Sequence, residues 1–139
     1  MCGLCGIVDF ARPVDAGSVL AMRQSLVHRG PDGSGLWQED RAVLGHTRLA
    51  IIDLSDRGLQ PLSSDDGSLH LLHNGEIYNY RELRAELEDA GHSFDSNSDT
   101  EVSKRSTRGM PALAKAETAI SEAPWVTLRP DPSDSSLPV

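Results

Sequence analysis

Apolar residues recur along this chain with two different spacings, and the switches between them predict its elements. Gly3–Phe10 (GLCGIVDF) reads as a buried strand ending in a turn at Ala11-Arg12-Pro13. Val19, Leu20, Met22, Leu26 and Val27 then fall at near-helical spacing, which predicts a short amphipathic helix over Ser18–Val27. Ser34–Gln38 and Ala42–Ile52 read as two strands joined at Glu39-Asp40-Arg41, the second too apolar for an exposed edge. Leu69–His73 is a further strand. Tyr80–Ala90, with Leu83 and Leu87 four apart and Gly91 behind them, is a helix with a glycine stop. Ser93–Asp95 starts another strand, and Ser96–Glu101 is a polar loop leading into a helix that Asp99 caps.

Several polar residues interrupt this pattern at places where chemistry is an alternative to structure. His28-Arg29-Gly30-Pro31-Asp32-Gly33 concentrates turn formers and reads by composition as a surface loop. Arg48 sits inside an apolar strand. A guanidinium there has either an acidic partner in the fold or a ligand carboxylate to grip with two parallel hydrogen bonds. Asn74-Gly75 is either a type I′ hairpin turn or a pair of donors, the Asn74 amide and the Gly75 N–H, for an oxyanion. Asp99 either caps its helix or accepts a ligand ammonium.

The first residues carry the strongest chemical signal. Cys2 directly follows Met1, a junction that methionine aminopeptidases cut because the second side chain is small. Removal of Met1 would leave a thiol and a free α-amine on one residue, a nucleophile with its own base near neutral pH. Cys5 offers a rival reading, a redox pair or half a metal site with Cys2. Two cysteines cannot make a four-thiolate site, and residues three apart in a strand point to opposite faces. Cys5 is therefore read as a small buried hydrophobe.

Composition narrows the setting. At 139 residues the chain has room for one domain, and its net charge of −8 without a Lys/Arg cluster argues against a nucleic-acid partner. No apolar run reaches the roughly 18–20 residues that a membrane span needs. Two cysteines and no secretory-type leader predict a reducing, cytoplasmic setting. Both lysines, Lys104 and Lys115, and five prolines (Pro111, Pro124, Pro130, Pro132, Pro138) follow Val102, marking a boundary there.

Met1-Cys2-Gly3, His28-Arg29-Gly30-Pro31-Asp32-Gly33, Gly45-His46-x-Arg48-Leu49-x-Ile51-x-Asp53-Leu54-Ser55, Gln60-Pro61, Asn74-Gly75-Glu76-Ile77-Tyr78-Asn79-Tyr80 and Ser98-Asp99-Thr100-Glu101-Val102 occur in that order. Together they closely resemble the N-terminal glutaminase domain of glutamine-hydrolysing asparagine synthetases, the class II glutamine amidotransferases. The resemblance implies an α+β fold, a partial αββα N-terminal-nucleophile hydrolase sandwich with mostly antiparallel strands. It implies that mature Cys2 attacks the side-chain amide of L-glutamine, forms a γ-glutamyl thioester and releases ammonia. Asn74 and Gly75 match the oxyanion hole, and Arg48 matches the clamp on the substrate carboxylate. Backbone groups of Leu49, Ala50, Ile51 and Ile52 lie beside that clamp, and Glu76 and Asp99 match the receivers of the α-amino end. The glutaminase half needs no cofactor or metal. ATP and Mg belong to the family's synthetase domain, which amidates aspartate with the ammonia.

The family pattern stops at Val102, and no pyrophosphate loop of the synthetase type follows. Residues 1–102 are read as an incomplete amidotransferase domain from a truncated or frameshifted gene. Residues 103–139 are read as a tail outside the family pattern that is disordered. A missing layer would leave apolar strand faces wet at about 25 cal/mol per Å². The competing reading is accordingly an inactive remnant that at most binds glutamine or a separate synthetase polypeptide.

Overall fold

The computed structural model describes residues 1–106 and the backbone of Trp125–Leu128. In chain order the elements are β1 (Gly3–Val8), α1 (Ala16–Ser25), β2 (Gly33–Glu39), β3 (Ala42–Arg48), β4 (Leu62–Ser63), β5 (His70–His73), α2 (Tyr80–Asp89), α3 (Asp99–Ser106) and β6 (Trp125–Leu128). They form two antiparallel three-stranded sheets, one ordered β1-β3-β2 and the other β4-β5-β6.

Strand alternation fixes the layers. On one face of β3, Gly45 lies against Cys5, Val19 and Arg23, and the Thr47 hydroxyl donates to Leu26 O at 3.1 Å, so that face meets α1. The opposite face belongs to Leu44, His46 and Arg48. Trp37 pairs with Leu44 across the first sheet and stacks on His70 of β5 at 3.8 Å between ring centroids, which brings the second sheet against that face. His73 points the other way from His70 and stands beside Thr100 of α3. The order is therefore α1, first sheet, second sheet, then α2 and α3 packed around Ile77, Leu83, Leu87 and Val102. The αββα arrangement implied by the motifs is present.

Several local expectations change. α1 begins earlier than the apolar spacing predicts, because the Asp15 carboxylate accepts from Gly17 N at 3.1 Å and Ser18 N at 2.9 Å and caps the first turn. Only Val19 of its apolar set is buried; Leu20, Met22 and Val27 remain exposed. The strand predicted over 42–52 ends at Arg48, since its partner β2 starts at Gly33, opposite Arg48, and no strand among the described residues pairs with Leu49–Ile52. Ser93–Asp95 forms no strand. Its neighbourhood is organised by Glu101, whose carboxylate accepts from Asp95 N at 3.0 Å and Ser96 N at 2.7 Å, donors a strand ladder would otherwise use. Asn74-Gly75 turns no hairpin either; the chain passes from β5 into α2.

The boundary expected from composition falls at Val102, inside α3. α3 runs through it to Ser106, with Arg105 paired to Asp65 at 2.6 Å, and Trp125–Leu128 forms β6 on β5. The disorder expected for the rest of 103–139 concerns residues 107–124 and 129–139, which lie outside the described residues.

Candidate active site

The β1–β3 register sets Gly3 against Thr47, so Cys2 lies just beyond the paired region, next to the end of β3. There the Leu49 N–H points at Cys2 Sγ at 3.4 Å, and Sγ lies 3.8 Å from Leu49 O. The loop that composition reads as a plain surface turn braces this end. Arg29 donates from Nε to Cys2 O at 3.1 Å, Asp32 N donates to Arg48 O at 3.0 Å, and the Asp32 carboxylate accepts from Ala50 N at 2.9 Å. Gly30 is required here, because a Cβ at that position would stand 2.5 Å from the Arg48 backbone.

Cys2 opens into a cleft of about 400 Å³. Arg48, Leu49, Ile51 and Ile52 line it from the end of β3, and Asn74, Gly75, Glu76 and Asp99 from the end of β5 and the start of α3. Of the glutamine-site residues that the resemblance implied, only Ala50 is not on the lining; its N–H is turned to Asp32. Met1 also lies in the cleft. Cys5 faces away and donates towards Val19 O, and burial pushes its thiol pKa up against the opposing pull of Arg23. The two cysteines are free, as strand alternation requires.

Arg48 answers its sequence question in a third way. Its guanidinium donates to the carbonyls of Asp53 and Ser55, not to an acidic side chain, while still lining the cleft. The Asp53 carboxylate is occupied by Ser55 Oγ at 2.6 Å, Ser55 N at 2.7 Å and Asn97 N at 2.7 Å, and these bonds hold its pKa down. Asp99 is the first residue of α3. One of its oxygens accepts from Ile77 N at 3.0 Å and the other from Thr100 N at 2.8 Å, joining the segment after Asn74-Gly75 to the helix start. Gln60, His73, Tyr78, Ser98 and Thr100 also line the cleft, and sequence reading gave none of them a role. Gln60, Tyr78, Ser98 and Thr100 lie within motif runs, the only signal that pointed to them. Among the described residues no group of His, Cys, Asp and Glu converges as a metal site.

The model of the glutamine amidotransferase domain matches residues 1–112. The chain belongs to this family. The domain is 44% identical over 106 residues to glutamine-hydrolysing asparagine synthetase 1 of Bacillus subtilis strain 168, covering 73% of this chain and 17% of that relative. It is likewise 44% identical over 104 residues to the glutamine-hydrolysing asparagine synthetase of Asparagus officinalis, with 73% and 17% covered. The chain thus spans about a sixth of the length of these relatives. Among solved structures, glutamine phosphoribosylpyrophosphate amidotransferase from B. subtilis, complexed with ADP and GMP, superposes with a TM-score of 0.72. At 22% identity, over 93% of this chain and 35% of that one, this likeness establishes the fold alone, two stacked antiparallel sheets flanked by helices.

Of the buried histidines, His73 lines the amidotransferase cleft and His46 lies on the same strand as Arg48. His46 lies behind Arg48 on β3; burial, then the neighbouring guanidinium, depress its pKa to about 4. His73 is also held below its ordinary value by burial, against the opposing pull of Asp99. No helix among the described residues is long and apolar enough to cross a membrane.

Proposed function

We propose that this domain hydrolyses L-glutamine to glutamate and ammonia through Cys2. The observation that carries the reading is the convergence of Cys2, Arg48, Asn74-Gly75 and Asp99 on one cleft from four separate parts of the chain. The cleft presents a cationic group near the thiol on one wall and a carboxylate on the other, a complement to an amino acid's two charged ends.

In the proposed reaction Met1 is first removed, leaving Cys2 with its own α-amine. Sγ attacks the amide carbon, and its proton passes to the amine. The developing oxyanion is received by the Asn74 side-chain amide and the Gly75 N–H. Collapse of the adduct breaks the C–N bond, the amine returns the proton to the leaving nitrogen, and ammonia departs from a γ-glutamyl thioester. Water then attacks the thioester, giving glutamate and restoring the thiol. Arg48 holds the substrate carboxylate, with Leu49 to Ile52 beside it, and Asp99 and Glu76 receive the α-ammonium.

This step uses no cofactor. In the relatives, named as glutamine-hydrolysing asparagine synthetases, the remaining length is where ATP and Mg would act; a synthetase partner for this chain, and amidation of aspartate with the ammonia, are part of the proposal. Incubation with glutamine and with its diazoketone analogue is the test. The expected outcome is glutamate release and a mass adduct on Cys2; absence of both rejects glutamine hydrolysis by this chain. Heat of glutamine binding without either product would favour the binding-only reading.

A further inference from the structure

Gln60 is buried at 5% exposure and joins three elements at the back of the cleft. Its carbonyl packs on Gly35 of β2 so closely that a Cβ there would overlap it. Its side-chain Oε1 accepts the backbone N–H of His73, the last residue of β5, at 2.7 Å. From the same amide, Nε2 donates to Thr100 Oγ1 at the start of α3, at 3.3 Å. The residue after His73 is Asn74, and the residue before Thr100 is Asp99.

We propose that Gln60 is a positioning residue that sets the span between the two ends of the glutamine site. This rests on the glutaminase reading above. One amide plane links the strand end carrying the Asn74-Gly75 donors to the helix start carrying the Asp99 carboxylate. The amide is planar, so its acceptor and donor sit at a nearly constant separation, and this sets how far the amide-binding end stands from the ammonium-binding end. The bond from Ile77 N to Asp99 joins the same two ends through the carboxylate itself, and the Gln60 amide adds a second tie between them. Gln60 acts on substrates held at both ends and leaves singly held ones largely unaffected.

The test compares Cys2 labelling by two diazoketones, one shaped as L-glutamine and one lacking the α-amino group, with iodoacetamide reporting the thiol itself. Gln60→Leu removes both bonds. Thr100→Val, close in volume, removes only the partner hydroxyl and covers the case in which Gln60→Leu fails to fold. Both variants are expected to lose about tenfold in preference for the amino-bearing reagent. The double variant is expected to lose less than the two single losses combined, because the two residues share one bond. Iodoacetamide labelling should stay at the wild-type rate. An unchanged preference, or an equal fall with both diazoketones, overturns the role of Gln60. A wild-type protein with no preference for the glutamine-shaped reagent over its des-amino counterpart overturns the glutaminase reading itself.

Discussion

The two walls of the cleft are built by different means. On the wall that carries Cys2 and Arg48, position follows from backbone pairing: β1 and β3 are in register from Gly3 to Val8, and main-chain groups of Leu49, Asp53 and Ser55 surround the two side chains. On the facing wall β5 is only four residues long, and Asn74, Gly75 and Asp99 are located by buried side chains: Gln60, Thr100, Asp99 itself and Glu101. A ladder distributes its constraint over many equivalent bonds, whereas a polar network concentrates it in a few that cannot be replaced once buried. The nucleophile wall should therefore tolerate the loss of a single side-chain bond, and the facing wall should not.

The largest expected effect tests where the chemistry lies. Cys2→Ala should lower glutamate release at least about 10³-fold with an unchanged unfolding midpoint, since it removes the attacking group and leaves the ladder intact. A rate close to wild type, followed by chromatographic detection of glutamate, would move the nucleophile elsewhere.

On the facing wall Glu101→Ala should cost about 3–5 kcal/mol in urea unfolding. Glu101 is 2% exposed, accepts from Asp95 N, Ser96 N and Ser96 Oγ, and lies within 4 Å of Lys104 and Arg105. Burial opposes its ionisation, but the Asp95 and Ser96 donors and Lys104 prevail and hold its pKa below the ordinary carboxylate range. The matching substitution on the other wall, Asp32→Ala, loses one exposed carboxylate bond to Ala50 N and should cost no more than about 1 kcal/mol. Equal costs for the two would erase the contrast between the walls.

Asn74→Ala should reduce kcat by about 10²–10³ with little change in stability, because Asn74 lines the cleft and borders the network without belonging to it. A loss confined to KM would assign Asn74 to ground-state binding.

The inner face of β3 has its own pH signature. His46 is fully buried, neither ring nitrogen has a hydrogen-bond partner among the described residues, and its pKa falls from 6.5 to about 4 on folding. Above pH 6.5 it is neutral in both states. As the pH drops towards 4 the unfolded chain takes up a proton that the folded chain refuses, and stability falls by about 3 kcal/mol. His46→Leu should flatten this loss in urea midpoints measured across that range. Persistence of the full loss would place it in another group. Glu101 and Asp53, with depressed pKa values, lose their contribution only at lower pH, as it falls through their folded values. The smallest effect is Gly91→Ala, about 1 kcal/mol, because φ of +91° after α2 penalises a Cβ although the space around it is open.

Much of this architecture is legible from local pattern. The helix over Tyr80–Asp89 follows from Leu83 and Leu87, both buried, and from the glycine stop. β1 and β5 also fall where alternation and β-rich residues place them. What local pattern misread has a common cause, backbone donors and acceptors taken by distant groups. Glu101 takes the amides near Ser93–Asp95, and Arg48 finds carbonyls seven and five residues ahead. Arg29, within a stretch that resembles any turn, reaches across 27 residues to Cys2. At the C-terminal side, composition marked a boundary at Val102, but α3 crosses it because Glu101 and Arg105 are tied on both sides.

The order of residues by itself determined which chemical groups this chain possesses: a thiol at the second position, an arginine in an apolar strand, an Asn-Gly pair and an acid at a helix start. It also determined the elements that carry them, because periodicity and turn chemistry act over a few neighbours. Only the tertiary structure decided that these groups share one cleft, that Arg29 and Asp32 brace its nucleophile end, and that Gln60 ties its far end together. Those relations join residues 13 to 47 positions apart. Contacts at such separation depend on how whole layers pack, which no stretch of neighbouring residues specifies.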